Sequence, residues 1–109
     1  MEEGYVYLIV EGDHNGEEKY KIGVTKNDPS KRLKKLKTGN SNQLDILKLY
    51  RSKNYKKVER FLHRKFRNQK TLSNNEFFYL SDDQVFQFIK YCEEAESIIE
   101  SLKDNPFFN

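Results

Sequence analysis

The sequence predicts a small α/β (α+β) domain in which helices flank a three-stranded, mostly antiparallel sheet and a long helix closes the C-terminal side. Two runs rich in β-branched and aromatic residues, 5–10 and 20–25, stand on either side of a polar loop that contains glycines, as in a β-hairpin. A third run, 44–51, alternates roughly and should pair with the hairpin. After residue 54 the apolar residues recur at helical spacing.

Size and composition favour one domain, 1–109, with a core at about 4–92 and an acidic helix end at 93–104. Of the 109 residues, 34% are charged and 36% hydrophobic. No run approaches the ~20 apolar residues that a membrane span needs. The acidic N-terminus leads into a strand, which predicts no signal peptide. The single cysteine, Cys92, excludes an internal disulfide, so we expect a cytoplasmic or otherwise intracellular protein.

The segment after the hairpin predicts a short helix with a basic outer surface. Asp28 can accept hydrogen bonds from the free N–H groups of a starting helix, and Pro29 is tolerated at its first position. Within 30–37, Leu33 and Leu36 lie three residues apart and lysines occupy the other faces.

Residues 54–67 predict a second helix, again with basic residues around an apolar stripe. The stripe is predicted to comprise Val58, Phe61, Leu62, Lys65 and Phe66. Such a helix would pack one side on the sheet and present positive charge on the other.

The C-terminal third predicts a short strand and a long helix. Residues 76–80 form an aromatic segment that suits a fourth, edge strand. Ser81 and Gln84 match a capping box, and apolar residues at 3–4 spacing extend a helix from about Asp82 to Lys103. The acidic second half of this helix leaves two outcomes open, fraying or a homodimer contact.

Charge is strongly partitioned along the chain. Residues 19–70 hold 18 of the 20 Lys and Arg residues but only 3 of the 17 Asp and Glu residues. A polyanionic partner accounts for this separation, because each phosphate that a basic side chain neutralises releases condensed counterions. Simple solubility stays open as an alternative on charge alone.

Strand residues of the hairpin form a first group of candidate site residues. Tyr7 faces away from Val6 and Leu8, and a strand tyrosine by itself is most often structural. Gly23 lies inside the second strand, where a glycine marks close approach of a backbone or a ligand. Lys21 shares that strand face and suits a phosphate clamp or a solvated position equally.

The two basic helices supply a second group. Arg32 has a guanidinium that binds phosphate oxygens bidentately, although its many basic neighbours make this assignment weak alone. Glu59 is the lone acid of 53–70 and is either a salt-bridge partner or a metal ligand. His63 lies four residues later on the same helix face, where a packing histidine is the commoner outcome. A carboxylate, an arginine, a phenol and an imidazole on a basic surface suffice for metal-assisted phosphodiester hydrolysis.

Tyr5-Val6-Tyr7-Leu8 and Lys21-Ile22-Gly23 resemble the paired motifs of the GIY-YIG nuclease superfamily. As in that family, a helix with Arg32 and then a helix with Glu59 follow. The resemblance spans about 4–80 and is to a compact phage, viral and bacterial branch whose second motif reads Lys-Ile-Gly.

This resemblance implies a metal-dependent endonuclease that hydrolyses DNA phosphodiester bonds, with RNA left open as a substrate. It implies that Tyr7 orients or deprotonates the attacking water and that Arg32 holds the scissile phosphate. It also implies that Glu59 binds one Mg²⁺ or Mn²⁺, and that His63 assists proton transfer or contacts phosphate. The residues expected to contact the rest of the nucleic acid are Lys21, Gly23, Thr25, Lys31, Lys35, Arg60 and Arg64.

Two positions depart from the superfamily pattern. Tyr5 stands where the first motif begins with a glycine. Lys21 stands where the second motif has a tyrosine, and a lysine amine is ordinarily charged at neutral pH and cannot act as a general base. We therefore expect Lys21 to hold phosphate. The departure also leaves open a catalytically inactive nucleic-acid-binding module with the same fold.

Overall fold

The computed structural model describes residues 3–12, 18–27, 44–71 and 77–103, and the helix predicted at 30–37 lies outside them. In the described part of the chain the elements, in order, are β1 (Gly4–Gly12), β2 (Glu18–Thr25), β3 (Leu44–Ser52), α1 (Tyr55–Lys65), a 3₁₀ turn (Arg67–Gln69), β4 (Phe77–Phe78), α2 (Asp82–Phe86) and α3 (Phe88–Lys103). No helix in these ranges combines the length and the apolar character that a membrane crossing requires.

The strands form one antiparallel sheet in the order β3–β1–β2–β4, flanked by helices, which confirms the predicted fold class. β1 and β2 form the predicted hairpin, and Tyr7 lies directly opposite Gly23. The fourth, edge strand suggested for 76–80 joins the three predicted strands as β4, which pairs with Tyr20 and Lys21 at the outer edge of β2. A strand of two residues is too short to leave an alternating pattern in the sequence.

β3 forms the other edge of the sheet, and its pairing with β1 explains why its apolar and polar residues alternate imperfectly. Leu8 of β1 pairs with Lys48, whereas the next residue, Ile9, pairs with Ile46. Leu47 is thus an extra residue in β3, a β-bulge that shifts the side-chain alternation by one position.

The main core lies between one face of the sheet and the helices α1 and α3. It includes Val6, Leu8 and Ile22 from the sheet, Val58, Leu62 and Phe66 from α1 and the turn after it, and Phe88, Cys92, Ala95 and Ile99 from α3. Tyr7 and Ile9 are buried on the opposite face of β1. Lys65, predicted to belong to the buried stripe, is exposed, and its ammonium lies over the Tyr91 ring, 4.9 Å from the centroid.

The single C-terminal helix of the prediction is two helices. Ser81 and Gln84 form the predicted capping box, but α2 ends at Phe86 and α3 starts at Phe88. Phe86 is 79% exposed, so the apolar stripe is interrupted there. One non-helical residue, Gln87, leaves the spacing of the apolar residues close to helical, and for that reason the sequence pattern does not reveal the break.

A polar network, here named the α3 clip, fastens α3 to the turn between β3 and α1. Its members are Tyr50, Ser52, Asn54, Glu96, Glu100 and Lys103. The Glu96 carboxylate accepts hydrogen bonds from both hydroxyls and from the Asn54 amide. The same amide donates to Glu100 over 2.6 Å, and its oxygen accepts from Lys103 Nζ over 2.7 Å. Part of the acidic surface of α3 therefore serves its own attachment to the sheet.

Candidate active site

A cleft of about 190 Å³ lies between α1 and the hairpin. It is lined by Tyr7, Lys21, Ile22, Gly23, Val24, Glu59 and His63. The cleft adjoins the end of β2 that β4 does not cover, since β4 pairs only with Tyr20 and Lys21. Five of the residues singled out from the sequence, drawn from β1, β2 and α1, thus meet at one place.

Gly23 makes room for the phenol of Tyr7. A Cβ atom built on Gly23 would lie 2.3 Å from the Tyr7 hydroxyl oxygen and 2.4 Å from Cζ, far inside van der Waals contact. Because Tyr7 is directly opposite Gly23 in the hairpin register, the missing side chain leaves the space that the ring occupies. The close neighbour expected at Gly23 was a backbone or a ligand; among the described residues it is this tyrosine.

Lys21 and Thr25, which alternate with Gly23 along β2, have different environments. Lys21 lines the cleft and is only 9% exposed, which does not fit a solvated strand position. Thr25 does not line the cleft, and its hydroxyl oxygen accepts a hydrogen bond from the backbone N–H of Asn27 over 3.2 Å. Of the three strand residues predicted to contact phosphate, Lys21 and Gly23 therefore line the cleft and Thr25 does not.

Among the described residues, Glu59 contributes the only carboxylate that lines the cleft, and it is half-buried. Within the ranges that the structure describes, no side chain forms a hydrogen bond or an ion pair with this carboxylate. The salt-bridge interpretation of Glu59 thus has no partner among these residues. Its oxygens are available for a ligand.

His63, one helical turn after Glu59, is fixed by two contacts. Its Nε2 atom lies 2.8 Å from the carbonyl oxygen of Ile22 in β2. Its ring packs edge-to-face with Phe78 of β4, with centroids 5.0 Å apart and an interplanar angle of 88°. Neither contact was predicted, because a backbone carbonyl carries no sequence signal and the aromatic segment 76–80 gave no register.

Basic side chains cover the exposed side of α1 next to the cleft and the turns just before and after this helix. They are Lys53, Lys56, Lys57, Arg60, Arg64, Lys65 and Arg67, all exposed. None of them forms an ion pair with another described residue. Arg60 and Arg64, predicted to contact nucleic acid, belong to this surface and do not line the cleft. A second cavity, of about 240 Å³, lies at its N-terminal end beside Lys56 and Arg60.

Three predicted site residues, Lys31, Arg32 and Lys35, lie outside the described residues. Their positions relative to the cleft stay predictions. The same holds for the phosphate contact expected from Arg32.

The donor set of the cleft suits a hard divalent cation. Among the described residues no three His, Cys, Asp or Glu side chains lie close enough together to enclose a metal ion. Mg²⁺ needs no such enclosure, because it keeps several waters and is commonly held by one or two carboxylates together with substrate phosphates. Glu59, whose oxygens have no partner among the described residues and lie beside a basic surface, fits that mode of binding.

Comparison with known families matches residues 4–93 to the T5orf172 domain, a phage-associated domain of an endonuclease-related class. The matched range contains the hairpin, β3, α1, β4 and the first part of α3. No curated protein and no solved structure matches the chain.

Proposed function

Because this chain belongs to the T5orf172 domain family, we propose that it is a nuclease, namely a metal-dependent endonuclease of the GIY-YIG type that hydrolyses DNA phosphodiester bonds. The observation that carries the proposal is the cleft, where a phenol, a lysine, a carboxylate and an imidazole come together from separate elements. Metal-assisted phosphodiester hydrolysis uses groups of these kinds.

Each cleft residue has a role that its chemistry supports. The Tyr7 hydroxyl both donates and accepts hydrogen bonds and can orient the attacking water. The Lys21 ammonium can contact a phosphate oxygen. Glu59 would hold one Mg²⁺ or Mn²⁺, which when bound supplies positive charge for the oxygen of the leaving group. Arg32, in the helix predicted at 30–37, is proposed to hold the scissile phosphate.

Electrostatics support a nucleic-acid substrate. A carboxylate beside a phosphate backbone is repelled, unless a cation lies between the two. The basic surface of α1 would attract the strand that brings this phosphate. From Lys56 to Arg64 the helix rises roughly 12 Å, which corresponds to about three phosphates of one DNA strand. The strand would therefore extend along α1 from the cleft.

A nucleic-acid-binding module without catalytic activity is the second candidate function. The observation that favours it is Lys21, which lines the cleft in the position where the family motif has a tyrosine. Such a module would use the same basic surface and would bind without cleaving. Binding and cleavage must therefore be measured separately.

Cleavage of supercoiled plasmid in Mg²⁺ or Mn²⁺ tests the proposal. We expect the wild-type chain to nick or linearise the plasmid and EDTA to stop it. Glu59→Ala and Arg32→Ala should lower the rate on the order of 10²–10³-fold. Glu94 is an exposed carboxylate on α3, so Glu94→Ala is the matched control and should cleave like the wild type.

Two results would contradict the endonuclease proposal. The first is undiminished cleavage by both site variants, which would remove the proposed mechanism. The second is salt-dependent DNA binding with no cleavage in any metal, which would support the binding module instead. Parallel assays on single-stranded DNA and on RNA would define the substrate.

A further inference from the structure

We infer that His63 accepts the proton of the attacking water through its Nδ1 atom, and that the carbonyl of Ile22 and the ring of Phe78 position it for this step. The inference rests on the proposed nuclease function and adds the atom that removes the proton. It is carried by the two contacts of the His63 ring in the cleft wall.

The contact with Ile22 fixes the tautomer of the neutral imidazole. A carbonyl oxygen only accepts hydrogen bonds, so the Nε2 atom that lies 2.8 Å from it must carry the proton. In a neutral ring the lone pair then resides on Nδ1. His63 consequently combines one nitrogen committed to the backbone of β2 with one nitrogen able to accept a proton.

Phe78 holds the ring from a second direction. It is fully buried and packs edge-to-face against His63. Phe78 also contacts Phe66, at a centroid separation of 6.5 Å, and Phe66 contacts Tyr91 of α3 at 5.7 Å. The imidazole is thus supported by aromatic rings that belong to the core, as a proton acceptor of fixed orientation requires.

The other cleft groups are less suited to remove the proton. Tyr7 is assigned to orienting the attacking water, and Glu59 is assigned to the cation. Lys21 acts as a donor when it is charged, and imidazole is the side chain that most often serves as a general base in enzymes.

The proposed step forms one bond to phosphorus and breaks another. The oxygen of a water molecule forms a bond to phosphorus, and one of its protons passes to Nδ1 of His63. The bond between phosphorus and the ester oxygen breaks, and that oxygen takes a proton from solvent. The products are a phosphate monoester and a hydroxyl end. His63 then returns its extra proton to solvent.

A purely structural role for His63 predicts a different outcome when this residue is replaced. The Ile22 carbonyl faces the side of β2 that β4 leaves uncovered, and His63 supplies its hydrogen-bond donor there. If this hydrogen bond were the only role of His63, any side chain that donates to the Ile22 carbonyl could replace it. Two substitutions separate the two roles, since a glutamine amide reaches the place of Nε2 and an asparagine amide the place of Nδ1.

His63→Gln is the decisive variant. It can keep the hydrogen bond to Ile22 but offers no basic nitrogen. We expect it to fold and to bind a DNA duplex within about twofold of the wild type, while kcat falls on the order of 10²–10⁴-fold. His63→Asn should lose the contact with Ile22 and melt at a lower temperature. Cleavage by His63→Gln within threefold of the wild type would overturn the inference.

Nitrogen-15 NMR of the imidazole provides a readout that does not depend on activity. We expect His63 to show a protonated Nε2 and a lone pair on Nδ1, with His14→Gln used to assign the two histidines. Phe78→Leu should populate the other tautomer as well and lower kcat more than it raises KM. A His63 ring protonated on Nδ1 in the wild type would overturn the inference even if the plasmid is cleaved. Absence of cleavage by the wild type in every metal would instead contradict the nuclease proposal, and the role of His63 with it.

Discussion

Two polar clusters border α1, and they use their side chains in opposite ways. In the α3 clip, at the start of the helix, the Glu96 carboxylate accepts three hydrogen bonds and the Asn54 amide uses both its nitrogen and its oxygen. In the cleft, the Glu59 carboxylate has no partner among the described residues, and His63 has one nitrogen engaged.

The difference separates the α3 clip, which stabilises the fold, from the cleft, whose groups are available to a ligand. A network whose donors and acceptors satisfy one another stabilises the fold and leaves little for a ligand. Polar groups that are held in place but left partly unsatisfied contribute less to stability and more to recognition. Substitutions in the clip should therefore change folding, and substitutions in the cleft should change cleavage.

Gly23→Ala should disturb the cleft through packing alone and lower both the cleavage rate and the stability. The new methyl group would overlap the Tyr7 phenol and displace it, and a displacement of about 1 Å in a reacting site can lower the rate about 10²-fold. Overpacking should also cost about 1–3 kcal/mol of stability. Gly12→Ala is the matched control, because no atom of the described residues lies within 4 Å of a Cβ atom there. Equal cleavage rates for the two variants would show that the position of Tyr7 is unimportant.

Glu96→Ala should have the largest effect in the clip. It removes the acceptor of three hydrogen bonds, so we expect a loss of about 2–3 kcal/mol in the free energy of unfolding, measured with urea. Cleavage by the folded variant should be unchanged. Glu94→Ala, exposed on the same helix, should stay within about 0.5 kcal/mol of the wild type. If Glu96→Ala lowered the free energy of unfolding no more than this control, the clip would not be the stabilising cluster of the two.

Arg64→Gln tests the basic surface of α1 and should have a smaller effect. If Arg64 contacts one phosphate, the slope of log Kd against log salt concentration should decrease by about one unit, with a modest loss of affinity. Lys90→Gln on α3 removes the same charge at another exposed position and should leave the slope unchanged. Equal slopes for the two variants would place the DNA elsewhere.

The smallest expected effect is on stability in alkali. Burial, followed by the charge and hydrogen bond of Glu96, raises the pKa of Tyr50 above its ordinary value of 10.0. The folded chain then keeps a proton that the unfolded chain loses, so this stabilisation is complete below pH 10 and declines as the pH rises further.

Tyr50→Phe should accordingly flatten the pH dependence of urea unfolding above pH 10. Some decline should persist in the variant, since burial and Glu18 raise the pKa of Tyr20 to about 12. An unchanged profile in the variant would show that Tyr50 does not take part in the linkage.

The regular elements of the fold were predictable because their side chains repeat. The hairpin, β3 and α1 each present several turns or alternations of apolar residues, and the structure confirms all three. The aromatic segment 76–80 indicated an edge strand by composition, but the two-residue extent of β4 and the one-residue break at Gln87 were not predictable. So short a feature leaves no periodicity in the sequence, because packing against distant parts of the chain determines where it begins and ends.

The candidate site was predictable at the level of residue types. A lone carboxylate in a basic segment and a glycine inside a strand are unusual locally, and both line the cleft. The contacts of His63 with Ile22 and Phe78 were not predictable, because they join a helix to a backbone carbonyl and to a short edge strand. Register between elements is a tertiary property that no local pattern in one sequence carries.

The most direct test of the account is whether a divalent cation binds at Glu59. Mn²⁺ titrated into the isotope-labelled chain with a phosphorothioate-substituted DNA duplex would broaden the NMR signals of nearby residues. We expect the signals of Gly23, Glu59 and His63 to broaden before those of the acidic residues on α3, and Glu59→Gln to abolish this order. Early broadening at the cleft that persists in Glu59→Gln, or broadening confined to α3, would contradict the claim that this carboxylate recruits the metal.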